Sequence, residues 1–151
     1  MIVHEHSAEA AVDPAVVWDR WTQVEHWPVD DPQVERATLN GPIAVGAVGQ
    51  VKLAGGPRAT FRFAQVDRMG GRFAIECKLL LCTLRLEHEL DRPDPDAPDV
   101  EGQDAPSRLC RITHRVVLTG PLARLWNRVI GAAMGRGLPT VVANVVAVAA
   151  I

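Results

Sequence analysis

Residues 2–10 alternate with period two. Ile2, His4, His6, Ala8 and Ala10 fall on one side and Val3, Glu5, Ser7 and Glu9 on the other, which predicts a strand. Asp13-Pro14 follows as an N-cap with a proline at the first helical position. Val17, Trp18 and Trp21 then predict a short helix over 14–22. Residues 25–32 contain Pro28 and Pro32 and leave room for one further helical turn. Six more strands are predicted, over 34–39, 50–53, 60–66, 73–79, 83–90 and 108–118. Turn signals at Asn40-Gly41-Pro42, Ala54-Gly55-Gly56-Pro57 and Asp67-Arg68-Met69-Gly70-Gly71 separate several of them. The link over 80–82 has neither Gly nor Pro, so the pattern leaves that boundary open. Residues 91–106 are rich in Pro and Asp and read as a solvated acidic loop within one domain, 1–151.

Gly120-Pro121 opens the longest periodic segment. Leu122, Leu125, Trp126, Val129, Ile130, Ala133 and Met134 recur at helical spacing, and the stripe continues through Leu138, Val141, Val142, Val145 and Val148. Gly135, Gly137 and Pro139 predict a kink or break in it. Strands linked as hairpins make an antiparallel sheet, and one long apolar helical face must be buried against it. The class is α+β: a curved antiparallel sheet of about seven strands around a long C-terminal helix, with two short helices after the first strand.

Composition narrows the function classes. Sixteen Lys+Arg against 18 Asp+Glu give a net charge of −2, which argues against a large nucleic-acid footprint. Three cysteines, Cys77, Cys82 and Cys110, form neither a disulfide framework nor a zinc spacing and read as buried thiols of a cytoplasmic protein. No leader sequence is evident, and the most apolar stretch, 138–151, reads as too short to span a bilayer. There is no Tyr, and no Ser-His-Asp, Cys-His or phosphate-loop arrangement. Gly41, Gly46 and Gly49 read as a turn, because Gly46-Ala47-Val48-Gly49 opens into a strand, whereas a phosphate loop opens into a helix.

The order of elements resembles the helix-grip fold of the Bet v 1-like or START-like (SRPBCC) superfamily, and within it the bacterial polyketide cyclase/dehydrase branch. The residues that carry the resemblance form three segments. They are Asp13-Pro14-Ala15-Val16-Val17-Trp18 with Val24-Glu25-His26-Trp27-Pro28; Gly41-Pro42 to Gly49 with Phe61, Phe63 and Phe73; and Glu87-His88-Glu89-Leu90 with Arg111 to Val116 and Leu118-Thr119-Gly120-Pro121-Leu122. The resemblance implies an interior cavity between the long helix and the sheet, taking an apolar or amphipathic small molecule. It also implies that the two strands bearing His88 and His114 are neighbours, with the first strand beside the last.

His88 shares its parity with Leu84, Leu86 and Leu90, and His114 with Cys110, Ile112, Val116 and Leu118. Both imidazoles are therefore expected to face inward, as a general acid/base pair or as cavity-wall residues. In the resembling fold His4 and His6 share that side, so a metal held by His4, His6 and His114 is a third option, with none expected. The expected ligand-binding wall is Trp18, Trp27, Phe61, Phe63, Phe73, Ile75, Leu84, Leu86, Ile112, Leu125, Val129 and Met134. Arg62, Arg85 and Arg111 fall on the outer parity.

Three functional classes fit this pattern. The first is a carrier of a hydrophobic or amphipathic small molecule, lipid-like or polyketide/aromatic, working without a cofactor as a monomer or homodimer. The second is a polyketide cyclase or dehydratase using His88 and His114. The third is an interaction module docking through 138–151.

Overall fold

The structure is a computed structural model that describes residues 1–92 and 109–151. Apart from its first two residues, the expected acidic loop at 91–106 lies outside the described residues. Asp91 itself closes a strand. The described elements are β1 (Ile2–Ala10), α1 (Pro14–Thr22), a 3-10 turn (Val24–His26), α2 (Trp27–Asp30), β2 (Val34–Asn40), β3 (Val48–Leu53), β4 (Arg58–Asp67), β5 (Arg72–Leu79), β6 (Cys82–Asp91), β7 (Cys110–Thr119) and a long helix, Ala123–Ala149. The strands form one antiparallel sheet in the order β1-β7-β6-β5-β4-β3-β2.

Local chemistry accounts for most boundaries. The Asp13 carboxylate accepts a hydrogen bond from the Ala15 N–H at 2.9 Å, and Pro14 opens α1. The β5–β6 turn, Leu80-Leu81, is the one the sequence left open. Leu81 sits at φ +51°, a left-handed conformation that costs a branched side chain of the order of 1 kcal/mol. Tertiary contacts hold it there. The Trp126 indole donates to the Leu80 carbonyl at 2.9 Å, the Leu122 N–H donates to the Leu81 carbonyl at 3.1 Å, and Gly120 leaves the space they need.

The long helix does not break at Gly135, Gly137 and Pro139, contrary to the sequence reading. Its irregularity comes earlier, as a π-helical stretch over Asn127–Gly131. Gly131 and Gly135 instead flatten the side laid against the sheet. A Cβ on Gly131 would lie 2.7 Å from the Leu118 side chain, and one on Gly135 would lie 2.5 Å from the His4 ring. The π turn also shifts the buried stripe. Ala123, Gly131, Leu138, Val142, Val145 and Ala149 face the core, while Leu125 and Val129 are 51% and 59% exposed. Leu125 and Val129 therefore leave the expected binding wall; Ala123, Trp126, Ile130 and Gly131 take the core-facing side of this part of the helix instead.

The segment 138–151 is core and not a free docking arm. Leu138, Val142, Val145 and Ala149 are buried, the Asp13 N–H donates to the Ala149 carbonyl at 2.9 Å, and the Ile151 N–H donates to the Ala11 carbonyl. The whole run 123–149 is long and apolar enough to cross a bilayer by length and composition, a test that core helices also pass. The apolar helix is thus longer than the 138–151 stretch read from the sequence.

The outer face of β5, β6, β7 and β1 is a charge ladder. Arg115 sits opposite Glu5 and Glu87 and bonds Glu5 and Glu89. Arg85 bonds Glu76 at 2.9 Å and Glu87 at 3.1 Å, and Arg111 bonds Glu9 at 2.7 Å. Arg62, Arg85 and Arg111 are on the outer side as their parity predicted; the partner of Arg111 is on β1.

Candidate functional site

Register brings three histidines into one row. His6 lies opposite His114 on β7, and His114 lies opposite His88 on β6. The His88 and His114 rings are edge-to-face with centroids 4.5 Å apart. Trp21, from α1, covers both rings at 5.4 and 5.7 Å. Its indole N–H donates to His114 Nε2 at 3.0 Å, which makes Nε2 the acceptor and places the His114 proton on Nδ1. His88 Nδ1 donates to the Phe73 carbonyl at 3.3 Å. His88 Nε2 carries no bond to the described residues and keeps contact with the cavity beside it.

Both imidazoles are neutral at pH 7. Burial pushes His88 down to about 4 against a weaker opposing pull from the Phe73 carbonyl. Burial, then the proximity of His88 and His6, holds His114 well below the ordinary histidine range. His4 has a different task. Its Nε2 donates to Asn127 Oδ1 at 2.7 Å and its ring packs against Gly135, so it seats the helix on β1. Nε2 of His4 and Nε2 of His114 are thus both engaged within the protein, which works against a metal held by His4, His6 and His114. No group of three metal-ligating side chains occurs among the described residues.

The chamber under the helix is mostly filled. Trp27, Phe61, Phe63 and Phe73 form a chain of ring contacts with centroids 4.9, 6.0 and 4.9 Å apart, and Trp18 continues it at 6.2 Å. Gly49 admits the Phe61 ring, which sits where its Cβ would be. Ile75, Leu84 and Ile112 are buried in the same core. A small cavity of about 60 Å³ lies at the other end, between β6, β7 and the helix. Leu86, Val116, Met134, Leu138 and Val141 give it an apolar wall; His88, His114, Asp31 and Gln33 supply polar atoms. Of the residues expected to line a pocket, the structure brings His88, His114, Leu86 and Met134 to this cavity. It places Trp18, Trp27, Phe61, Phe63, Phe73, Ile75, Leu84 and Ile112 in packing.

Asp31 and Gln33 escaped the sequence reading. They lie in the link from α2 to β2, and their place is set by tertiary bonds. Asp31 accepts from the Gln33 N–H at 2.9 Å, and Gln33 Nε2 donates to the Ala133 carbonyl of the helix at 3.1 Å. Burial, partly offset by the Gln33 N–H, raises the Asp31 carboxyl above the usual range. The preceding residue, Asp30, is clamped by Arg20 through two hydrogen bonds at 2.7 and 2.9 Å, and Asn144 Nδ2 donates to its carbonyl. An Asp-Asp pair just after a proline-bearing turn was the available signal.

No protein-family model and no curated protein matches the chain. Solved structures do. Norcoclaurine synthase from Thalictrum flavum, in complex with dopamine and hydroxybenzaldehyde, superposes with a TM-score of 0.61 at 14% identity over 96% of this chain and 83% of that one. A protein from Thermobifida fusca gives 0.65 at 20% identity over 98% and 95%. The di-domain ARO/CYC BexL from the BE-7585A biosynthetic pathway gives 0.67 at 12% identity, over 96% of this chain and 46% of that one. The chain has the helix-grip fold of the Bet v 1-like and START-like proteins. At these identities the likeness shows the fold and assigns no ligand or activity.

Proposed function

We propose that this protein binds a hydrophobic or amphipathic small molecule, aromatic or lipid-like, at the His88 end of the chamber. The observation that carries the reading is the lining of the residual cavity: an apolar wall with a few convergent polar groups, one of them a neutral imidazole whose Nε2 is bonded by no group among the described residues. At about 60 Å³ the cavity is well below the roughly 300 Å³ of a typical ligand site. Binding therefore displaces Met134 and Leu138 and lifts the helix locally. Gly137, at the rim with Gln33, places no side chain in the way. A neutral imidazole suits an uncharged hydroxyl or carbonyl, and the fold neighbour that holds dopamine and hydroxybenzaldehyde supports an aromatic ligand. The protein acts in the cytoplasm on this reading.

The test is a titration of the whole chain with 1-anilinonaphthalene-8-sulfonate, alongside native mass spectrometry of the purified protein. Micromolar binding, or a co-purified apolar molecule, is expected. Met134→Trp should fill the cavity and weaken binding at least tenfold. Equal dye binding by the wild type and Met134→Trp would overturn the proposal.

A second reading, a cyclase or dehydratase, draws on Asp31. Its carboxyl, raised by burial, shares the cavity with His88, so a carboxyl group and an imidazole face one space. His114 is the weaker candidate, since Trp21 occupies its Nε2. On this reading His88→Ala abolishes turnover of an aromatic polyketide-like substrate and leaves its binding within a few-fold. Parallel loss of both means that the imidazole only shapes the pocket.

A further inference from the structure

A second depression lies on the opposite side of the sheet. It has a volume of about 310 Å³ and is lined by Arg36, Thr38, Gln50, Val51, Lys52 and Arg58. Register explains its character. Arg36 pairs with Lys52, and Lys52 pairs with Arg58, so three cations stand in one row across β2, β3 and β4. Like charges directly opposite one another destabilise a sheet. The rest of the outer face obeys that rule, with Arg115 between Glu5 and Glu87, Arg85 against Glu76, and Arg111 between Glu9 and Asp91. The next row of the depression is neutral and rich in donors: Thr38, Gln50 and Thr60 in register.

One carboxylate approaches. Glu35 is the extra residue of a bulge between Val34 and Arg36, and it meets Lys52 at 2.6 Å. The guanidinium groups of Arg36 and Arg58 have no acidic partner among the described residues. Two forked cations, a partly neutralised ammonium and a polar row thus surround one open hollow. Guanidinium forks match phosphoryl oxygens two at a time.

We propose that this hollow on the outer face of β2, β3 and β4 binds a phosphoryl-bearing anion through Arg36, Lys52 and Arg58. The site is separate from the chamber under the helix and stands whether or not that chamber binds a ligand. The chemistry is shared by a free phosphorylated small molecule and a phospholipid headgroup.

The experiment uses the full chain and Arg36→Gln/Arg58→Gln, with inorganic pyrophosphate as the probe in low salt. Pyrophosphate should raise the wild-type melting temperature by about 3 °C or more, with amide shifts gathered at 36–38, 50–52 and 58–60. The double variant should bind at least tenfold more weakly. It should also melt no lower than the wild type without ligand, because removing two like charges relieves repulsion. Phosphatidylglycerol vesicles separate the two sources. Sedimentation with vesicles that pyrophosphate reverses assigns the site to a headgroup, and pyrophosphate binding without sedimentation assigns it to a free ligand. An identical pyrophosphate response in both proteins would overturn the proposal. So would a double variant that melts clearly below the wild type in the absence of ligand, since the arginines would then be structural.

Discussion

The two ends of the sheet's inner surface solve the same packing problem differently. Toward β3–β5, stacked rings close the space: Phe61 and Phe63 are 1% and 0% exposed, and Gly49 gives up its side chain so that Phe61 fits. Toward β6–β7, imidazoles replace phenyl rings in the same inward row, and the aliphatic residues around them leave about 60 Å³. An interior normally packs to the density of an organic crystal. The end that falls short, with His88 and His114 beside the gap, is where the proposed ligand site lies.

This contrast can be broken at several points. Removing 138–151 takes Leu138, Val142, Val145 and Ala149 out of the core, so cooperative unfolding and the near-ultraviolet circular dichroism signal should vanish. A folded remnant would mean the helix end is accessory. Next, Phe63→Ala at the closed end should cost about 3–5 kcal/mol in urea titration, and Met134→Ala at the open end less than half of that. Equal costs would erase the distinction.

The imidazoles predict a pH dependence. His88 is pushed down to about 4 in the folded protein, whereas an unfolded histidine titrates near 6.5. Below that value the unfolded chain takes up the proton first. Stability is therefore complete above about pH 6.5 and falls as the pH drops toward 4, by roughly 3 kcal/mol from this residue. His114 acts in the same direction. His88→Leu should flatten the curve between pH 4 and 6.5, as read from denaturant midpoints. The smallest effect concerns the seat of the helix. Gly135→Ala sets a methyl group against the His4 ring and should cost about 1–3 kcal/mol. An unchanged midpoint would show that the contact is loose.

Much of the frame was legible in the sequence because it is periodic. The alternation in β1, the parity of His88 and His114 and the Asp13-Pro14 cap are local properties, and the structure keeps them. What the pattern hid depends on distant parts of the chain. The helical stripe misplaced Leu125 and Val129, which lie just before and within a π-helical stretch that departs from the α-helical spacing. Gly135 reads as a helix breaker in isolation and as a flat contact once His4 is beside it. Leu81 gave no turn signal because the turn is held by Trp126 and Leu122, some forty residues later. The same holds for the cavity. Inward parity identified its imidazoles, but the volume left over depends on how completely Trp18, Trp21 and the phenylalanines fill the rest.

The central claim, that a ligand enters at the His88 end, is tested most directly by nitrogen-15 spectra of the imidazoles and carbon-13 spectra of the methyl groups during titration with 1-anilinonaphthalene-8-sulfonate. The account predicts that His88 Nε2 and the Met134 methyl shift together and saturate at one affinity, while the resonances of β3 and β4 around Phe61 stay put. Saturable shifts centred on Phe61 and Phe63, with His88 and Met134 unmoved, would contradict it.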